Sequence, residues 1–177
     1  MLRFLHLAII SLLALTATSS AAPDCKTSPG NSTWPSPEDW NTLNQTIHGS
    51  LIKTAPAGSS CYPGNPLGSA ENCTNVKDHW SYAAYHAAWL ESIDYSIYAN
   101  NSCLPPGVDG YSKDKGCSIG GLPQYIVNAT SEQQVATAMQ WASRRNVRIV
   151  VKGTGHDLGG RYVTFFWTSF LSDSMLV

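Results

Sequence analysis

The stretch that decides the fold is Gln124-Tyr125-Ile126-Val127-Asn128, followed by a helical pattern and then by Val147-Arg148-Ile149-Val150-Val151. Both runs are short, mostly apolar and rich in branched side chains, which favours strands. The pattern between them repeats every three to four residues, which favours a helix. The order strand, helix, strand predicts a β-α-β unit over residues 122–151, with the second strand buried.

The predicted helix has a start signal and a stop signal. Thr130-Ser131 offers an N-cap, and Gln133 or Gln134 is placed to close a capping box. Arg144-Arg145 lies in the last turn, where positive charge suits the helix dipole, and Asn146 can end the helix in a left-handed conformation. One apolar face is predicted to consist of Val135, Ala138, Met139 and Ala142.

Directly after the second strand comes Lys152-Gly153-Thr154-Gly155-His156-Asp157-Leu158-Gly159-Gly160-Arg161. Glycines allow backbone amides to approach a diphosphate closely, and Thr154 adds a hydroxyl donor, so the loop can cradle a dinucleotide. Taken alone, the loop is equally consistent with a glycine-rich turn after a strand. His156 favours a cofactor-binding loop over a plain turn, because a neutral imidazole is a nitrogen nucleophile. Asp157 either steers that ring or serves as a turn residue.

Upstream, residues 22–121 are rich in Pro, Gly, Asn and Ser and predict short helices between loops. Ser36-Pro37-Glu38-Asp39 resembles a helix start, and a second helix is predicted from Asp78 to Leu90. The first helix is expected to carry its apolar side chains at Trp40, Leu43, Ile47 and Leu51. His79 and His86 are interpreted as ordinary surface or core histidines rather than metal ligands, because neither belongs to a cluster with ligand spacing.

The N-terminus has the layout of a secretory signal peptide. Arg3 supplies positive charge, Phe4 to Leu15 is almost wholly apolar, and small residues precede an expected cleavage after Ala21. The apolar run is shorter than the ~20 residues that a membrane span needs, so no stable membrane anchor is expected. A retained signal anchor is the alternative. The sequence thus predicts a secreted, extracellular protein.

Cysteines and glycosylation signals agree with secretion. The chain has five cysteines, and local pairing suggests disulfides Cys61–Cys73 and Cys103–Cys117, which leaves Cys25 without an assigned partner. The acceptor pattern for N-glycosylation occurs at Asn31, Asn44, Asn72, Asn100 and Asn128. Eleven basic residues oppose twelve acidic ones, so no surplus of positive charge points to a nucleic-acid partner.

The loop and the β-α-β unit resemble the FAD-binding domain (PCMH type) of the vanillyl-alcohol-oxidase family, and specifically its secreted fungal, berberine-bridge-enzyme-like members. The resemblance spans about Cys25 to Arg161. It also rests on upstream residues: Cys25-Lys26, Trp34-Pro35-Ser36, Trp40, Leu43-Asn44, Gly49 to Thr54, Cys61, Asn101-Ser102-Cys103, Cys117 and Tyr125 to Asn128. It implies that His156 carries covalent FAD and that Gly153, Thr154, Gly155 and Gly160 form the pyrophosphate loop, with Asp157 beside them.

The resemblance implies an α+β fold, in which a loop-rich helical N-terminal segment is followed by the first β-α-β unit of a truncated FAD-binding domain. The expected divisions are a signal peptide at 1–21, a glycosylated disulfide-containing segment at 22–121, the start of the FAD-binding domain at 122–161 and an aberrant tail at 162–177. The implied activity is oxidation of a small organic substrate, such as an alcohol or a sugar, with electrons passing through FAD to oxygen.

The family pattern continues after Gly160-Arg161 with Ser, where this sequence has Tyr162. We expect the tail to reflect a retained intron or mispredicted gene end, or else a natural truncated paralogue. Two strands alone make a marginal sheet, so the fragment is expected to be poorly stable and inactive, with no catalytic residue of its own assigned.

The sequence also has to be compared with two other classes of protein function. A non-catalytic secreted glycoprotein, acting in binding or defence, fits the cysteines, glycosylation signals and aromatic residues equally well. It does not need a glycine loop that contains a histidine. A serine or cysteine hydrolase has little support, because no Gly-x-Ser-x-Gly motif occurs and the cysteines are expected to be oxidised.

Overall fold

The structure is a computed structural model of the 177-residue chain, and it describes residues 25–152 and 168–172. The predicted signal peptide lies outside these ranges. The α-helices are α1 (Pro37–Thr46), α2 (Cys73–His79), α3 (Ala83–Ala88) and α4 (Glu132–Arg144). The strands are β1 (Leu51–Lys53), β2 (Tyr125–Ala129), β3 (Ile149–Lys152) and β4 (Thr168–Ser172). Short 3₁₀ helices occupy Ala57–Cys61 and Ser96–Ala99.

The four strands form one sheet in the order β1-β2-β4-β3. β4 pairs in parallel with both β2 and β3, while β1 pairs antiparallel with β2. The predicted β-α-β unit is therefore present as β2-α4-β3, but its two strands are not adjacent, because β4 lies between them. The expectation of a two-stranded sheet was wrong, since β1 and β4 supply further backbone partners.

The core lies where α1 and α4 pack on the sheet. Trp40 stacks on Tyr125 with ring centroids 4.1 Å apart and meets Trp141 at 4.6 Å. Ile126 and Val127 of β2 are completely buried. Such burial of large apolar side chains is the main favourable term that holds the two helices on the sheet.

Helix α1 begins at the predicted capping signal. The Ser36 hydroxyl accepts a hydrogen bond from the Asp39 amide at 3.2 Å, and the Asp39 carboxylate accepts one from the Ser36 amide at 3.0 Å. The helix ends at Thr46, earlier than the apolar spacing predicted, because Leu51 belongs to β1. The Asn44 side chain accepts the Leu51 amide at 3.0 Å and so joins the end of α1 to the start of β1.

Helix α4 follows most of its predicted pattern. Ser131 is the N-cap and accepts from the Gln134 amide, while the Gln134 side chain accepts from the Thr130 amide at 2.8 Å. Asn146 takes the expected left-handed conformation, with φ of 54°. Met139 is 47 % exposed, so its placement on the buried face was wrong. β3 is also not a buried strand, because Val151 is exposed and Ile149 is only half-buried.

The helix predicted from Asp78 to Leu90 is two shorter helices, and the single-helix prediction was wrong. α2 ends at His79, and Tyr82 is extended before α3 begins. The Nε2 atom of His86 lies 2.6 Å from the Trp80 carbonyl oxygen. In a continuous helix, that carbonyl would accept a hydrogen bond from a backbone amide one turn later. The His86 side chain thus replaces the backbone amide as the hydrogen-bond partner of the Trp80 carbonyl at the break between α2 and α3.

Both predicted disulfides are present, Cys61–Cys73 and Cys103–Cys117, and Cys25 is exposed and outside them. The first disulfide joins a 3₁₀ helix to α2, and the second closes the loop that precedes β2. Among the described residues, no helix is both long enough and apolar enough to cross a membrane.

Candidate functional site

The six residues predicted to hold the cofactor, Gly153, Thr154, Gly155, His156, Asp157 and Gly160, lie outside the described residues. The structure does describe the point from which their loop departs. That point is Lys152, the last residue of β3. Lys152 therefore marks the base of the predicted site, at the carboxyl end of β3.

The base of the loop lies at the carboxyl end of a parallel strand. β2, β4 and β3 run in the same direction, so Ala129, Ser172 and Lys152 end them at one edge of the sheet. The chain passes from β2 through α4 to β3 and then returns to fill the gap between them. Open parallel sheets bind ligands outside the carboxyl ends of their strands, where the strand order reverses.

The Lys152 side chain is buried, with an exposed fraction of 4 %. Its ammonium donates to the backbone carbonyls of Ser92 at 2.8 Å, Trp89 at 3.0 Å and His86 at 3.3 Å. An ammonium has three donor hydrogens, and each of them has a carbonyl to receive it. Among the described residues the ammonium forms no ion pair.

The carbonyls that receive Lys152 belong to the end of α3 and to the turn that follows it. Carbonyls in the last turn of a helix lack intrahelical partners and form the negative end of the helix dipole, so a cation is favourable there. Burial nevertheless lowers the pKa of Lys152 from 10.5 to about 8. Desolvation is thus the largest opposing effect on this charge.

His86 organises the same segment from inside. Its ring nitrogens lie 2.6 Å from the Ser92 hydroxyl and 2.6 Å from the Trp80 carbonyl. Because a carbonyl can only accept, Nε2 carries the proton when the ring is neutral and Nδ1 accepts from Ser92. Burial lowers the pKa of His86, which favours that neutral form.

Two side chains next to this segment have buried polar atoms without a partner. Tyr85 Oη and Trp89 Nε1 form no hydrogen bond within the described part of the chain. Their rings stack with centroids 6.5 Å apart. Buried polar atoms are normally satisfied, but Trp40 Nε1 and Trp141 Nε1 in the helix–sheet core are likewise unpartnered among the described residues, so these atoms point to no particular ligand.

A small, partly open cavity lies beside the segment. It has a volume of about 30 Å³ and is lined by residues that include Trp80, Glu91, Ser92 and Leu122. Glu91 accepts the Ala55 amide at 2.7 Å, and burial raises the pKa of its carboxyl. A volume of this size holds about one water molecule and cannot enclose an organic substrate.

Sequence reasoning missed Lys152, His86 and Ser92 as parts of this site. The available signal was the position of Lys152, where an apolar strand meets a glycine-rich loop. Nothing in the local sequence pairs that lysine with carbonyls some sixty residues earlier, because backbone acceptors carry no residue-type signature. Only the fold brings these groups together.

Residues 123–168 match a family described as FAD binding domain. Two curated fungal proteins are similar over most of the chain. The FAD-linked oxidoreductase apf9 of Gibberella fujikuroi is 38 % identical over 150 residues, which cover 84 % of this chain and 24 % of that protein. The VAO-type flavoprotein oxidase VAO615 of Thermothelomyces thermophilus is 36 % identical over 164 residues, which cover 91 % and 28 %.

Solved structures agree with these matches. The crystal structure of VAO-type flavoprotein MtVAO615 from Myceliophthora thermophila C1 superposes with a TM-score of 0.72 and 33 % identity, over 84 % of this chain and 27 % of that one. MtVAO713 from the same organism gives a TM-score of 0.72 with 30 % identity. The chain spans about a quarter of the length of the relatives that it matches.

Proposed function

Because the chain is similar to about a quarter of the length of fungal FAD-linked oxidoreductases and VAO-type flavoproteins, we propose that it forms the FAD-binding amino-terminal part of an oxidase of small organic substrates. Under this proposal the loop 153–160 binds the FAD pyrophosphate. The imidazole of His156 is the group that holds the flavin covalently.

One observation carries the proposal. The match to the FAD binding domain covers residues 123–168, which contain β2, α4, β3 and the whole glycine loop. In the structure β2, α4 and β3 of this stretch form a β-α-β unit with parallel strands, and Lys152, the last residue of β3, lies at the carboxyl end of that strand, where the loop begins. The family match and the sheet edge thus favour the same place for the cofactor.

The residues around this edge fit a diphosphate. Three glycines, Gly153, Gly155 and Gly160, offer backbone amides without a side chain in the way, and Thr154 offers a hydroxyl donor. Lys152 lies at the base of the loop, and its ammonium bonds to the backbone carbonyls of residues 86–92.

The chemistry that FAD would supply when bound is hydride transfer from the substrate and electron transfer to oxygen. The chain's own part is to bind and orient the cofactor. The larger concave surfaces of the described residues, beside Tyr85 and beside Met139, are open to solvent, so we place the walls around the flavin and the substrate pocket in the portion of the relatives that this chain does not span. The chain alone is then an incomplete and inactive oxidase, and an alcohol or a sugar is the substrate class proposed for the complete protein.

The experiment compares two secreted proteins. One is residues 22–177 alone, and the other joins residues 22–161 to the remaining region of the Thermothelomyces flavoprotein oxidase VAO615. We expect the extended protein to be yellow and to release peroxide with an alcohol or a sugar, and the short chain to do neither. Failure of a folded extended protein to bind flavin would favour the alternative of a non-catalytic secreted glycoprotein.

A further inference from the structure

We infer that Lys152 is a positioning residue for the cofactor, fixing the exit of β3 by anchoring it to the backbone carbonyls of residues 86–92. The inference rests on the proposed function, because it concerns the loop proposed to bind FAD. No contact between Lys152 and the cofactor is required. The ammonium acts on the backbone from which the loop departs.

In β3, unusually, the charged residue is more deeply buried than the apolar ones. Lys152 is buried, whereas Ile149 and Val150 are half-buried and Val151 is exposed. A lysine is among the residues least often buried, and an apolar side chain would fill the same position without desolvating a charge. The most buried residue of this strand is therefore its only charged one, and stability alone does not account for that choice.

The hydrogen bonds of Lys152 are directional and complete. The three carbonyls belong to His86, Trp89 and Ser92, within one seven-residue segment. The distances from Lys152 Nζ to their oxygens lie between 2.8 and 3.3 Å. Apolar packing tolerates small slips, but three donors that converge on three fixed acceptors define one position for the end of the strand. The bonds of His86 to Ser92 and Trp80 hold the acceptors in place.

The loop that follows needs such a fixed origin. Residue 153 is a glycine, which has more backbone freedom than any other residue. Binding groups must be held within a fraction of an ångström to work well, and the residues that support them decide whether they are. Lys152 is the last described residue before this glycine, so its anchoring fixes the backbone from which the loop starts.

The test uses the extended protein with His156→Ala, so that FAD binding is reversible and its dissociation constant can be measured by flavin fluorescence. In this background Lys152→Met removes the ammonium and keeps a similar volume. We expect FAD binding to weaken by about 10–100-fold, the usual effect of removing a residue that orients a binding group. Lys152→Gln, which keeps an amide donor, should lie between the two and serves if the Met variant does not fold.

The control is Arg145→Met, which removes a cationic side chain at the opposite end of the β-α-β unit. Arg145 follows α4 and precedes β3, so it lies toward the amino ends of the strands, and it donates to the Asp39 carboxylate at 2.9 Å. This variant should also lose stability but bind FAD within about twofold of the parent, because distant sites act independently. A merely structural role for Lys152 would make the two variants alike.

Hydrogen exchange of the flavin-free protein gives a readout that does not depend on the cofactor. Lys152→Met should speed exchange of amides in 86–92 and 149–152, and Arg145→Met should leave the amides of 86–92 protected. Unchanged FAD affinity in Lys152→Met, or equal losses in both variants, would overturn the inference while leaving the proposed function intact. If the parent itself binds no FAD, the proposed function fails and this inference fails with it.

Discussion

Arg145, at the end of α4, donates to the carboxylate of Asp39, in the first turn of α1, over 2.9 Å. The same guanidinium lies 4.5 Å from the centre of the Trp141 ring, so one side chain joins both helices and the aromatic core. Asp39 also closes the capping box of α1. Hydrogen bonds from Arg145, and then from Ser36, lower the pKa of Asp39 from 3.8 to about 2.

Replacement of Asp39 by Asn should change how stability depends on pH. A carboxyl whose pKa is lower in the folded state contributes stability that is full above its ordinary pKa and lost as the pH falls through the folded value. In the parent protein, the stability contributed by the Asp39 carboxylate should therefore be lost as the pH falls from 3.8 to about 2. Denaturation followed by circular dichroism should show a shallower acid slope for Asp39→Asn in this range.

The control for this prediction is Glu38→Gln, one residue earlier on the exposed side of the same turn. It should leave the acid slope between these pH values close to that of the parent. Equal slopes for Asp39→Asn and the parent would contradict the assigned role of the pair.

Trp40→Ala should remove the centre of the helix–sheet core. Trp40 is 3 % exposed and contacts Tyr125 and Trp141. Truncation of a buried Trp costs about 3–5 kcal/mol in the free energy of unfolding. Urea titration should detect this loss, whereas Met139→Ala, at an exposed position of α4, should stay within about 0.5 kcal/mol of the parent.

Peptide mapping without reduction should recover Cys61–Cys73 and Cys103–Cys117 as linked peptides. Each closed loop should stabilise the protein by about 2–4 kcal/mol, because the crosslink restricts the unfolded chain. Free thiols at these four positions in secreted protein would count against the pairing. Cys25, which is exposed, should react with a thiol reagent unless a partner chain or a further cysteine takes it up.

Secretion predicts a mature N-terminus at Ala22 and N-linked glycans. Among the five acceptor asparagines, Asn31, Asn72, Asn100 and Asn128 are exposed. Asn44 is half-buried, and its side-chain oxygen accepts the Leu51 amide, so it should carry the least glycan. N-terminal sequencing and mass measurement before and after glycan removal test both points, and recovery of Met1 on secreted protein would contradict them.

Local chemistry made part of the fold predictable. Ser36 and Asp39 cap α1 as their spacing indicates, and Asn146 ends α4 in the left-handed region. The strand at 125–129 follows from a short run of branched and aromatic residues. Each of these features depends on groups a few residues apart, which a sequence pattern records directly.

Other features depend on contacts that no local pattern contains. The break between α2 and α3 lies where the His86 ring hydrogen-bonds to the Trp80 carbonyl. The strand β1 depends on antiparallel pairing with β2. Lys152 would be taken for a strand-end surface residue until the carbonyls of 86–92 are placed around it. For the candidate site, the sequence therefore predicted the loop and its histidine but not the anchor at its base.

The most direct test of the central claim is the visible absorbance spectrum of the extended protein after denaturation and removal of free flavin. The account predicts that a flavin band stays with the polypeptide and that His156→Ala, otherwise folded, loses it. A folded extended protein without a flavin band before or after denaturation would contradict the proposal that this chain binds FAD. A band that survives denaturation in His156→Ala would contradict the role of His156.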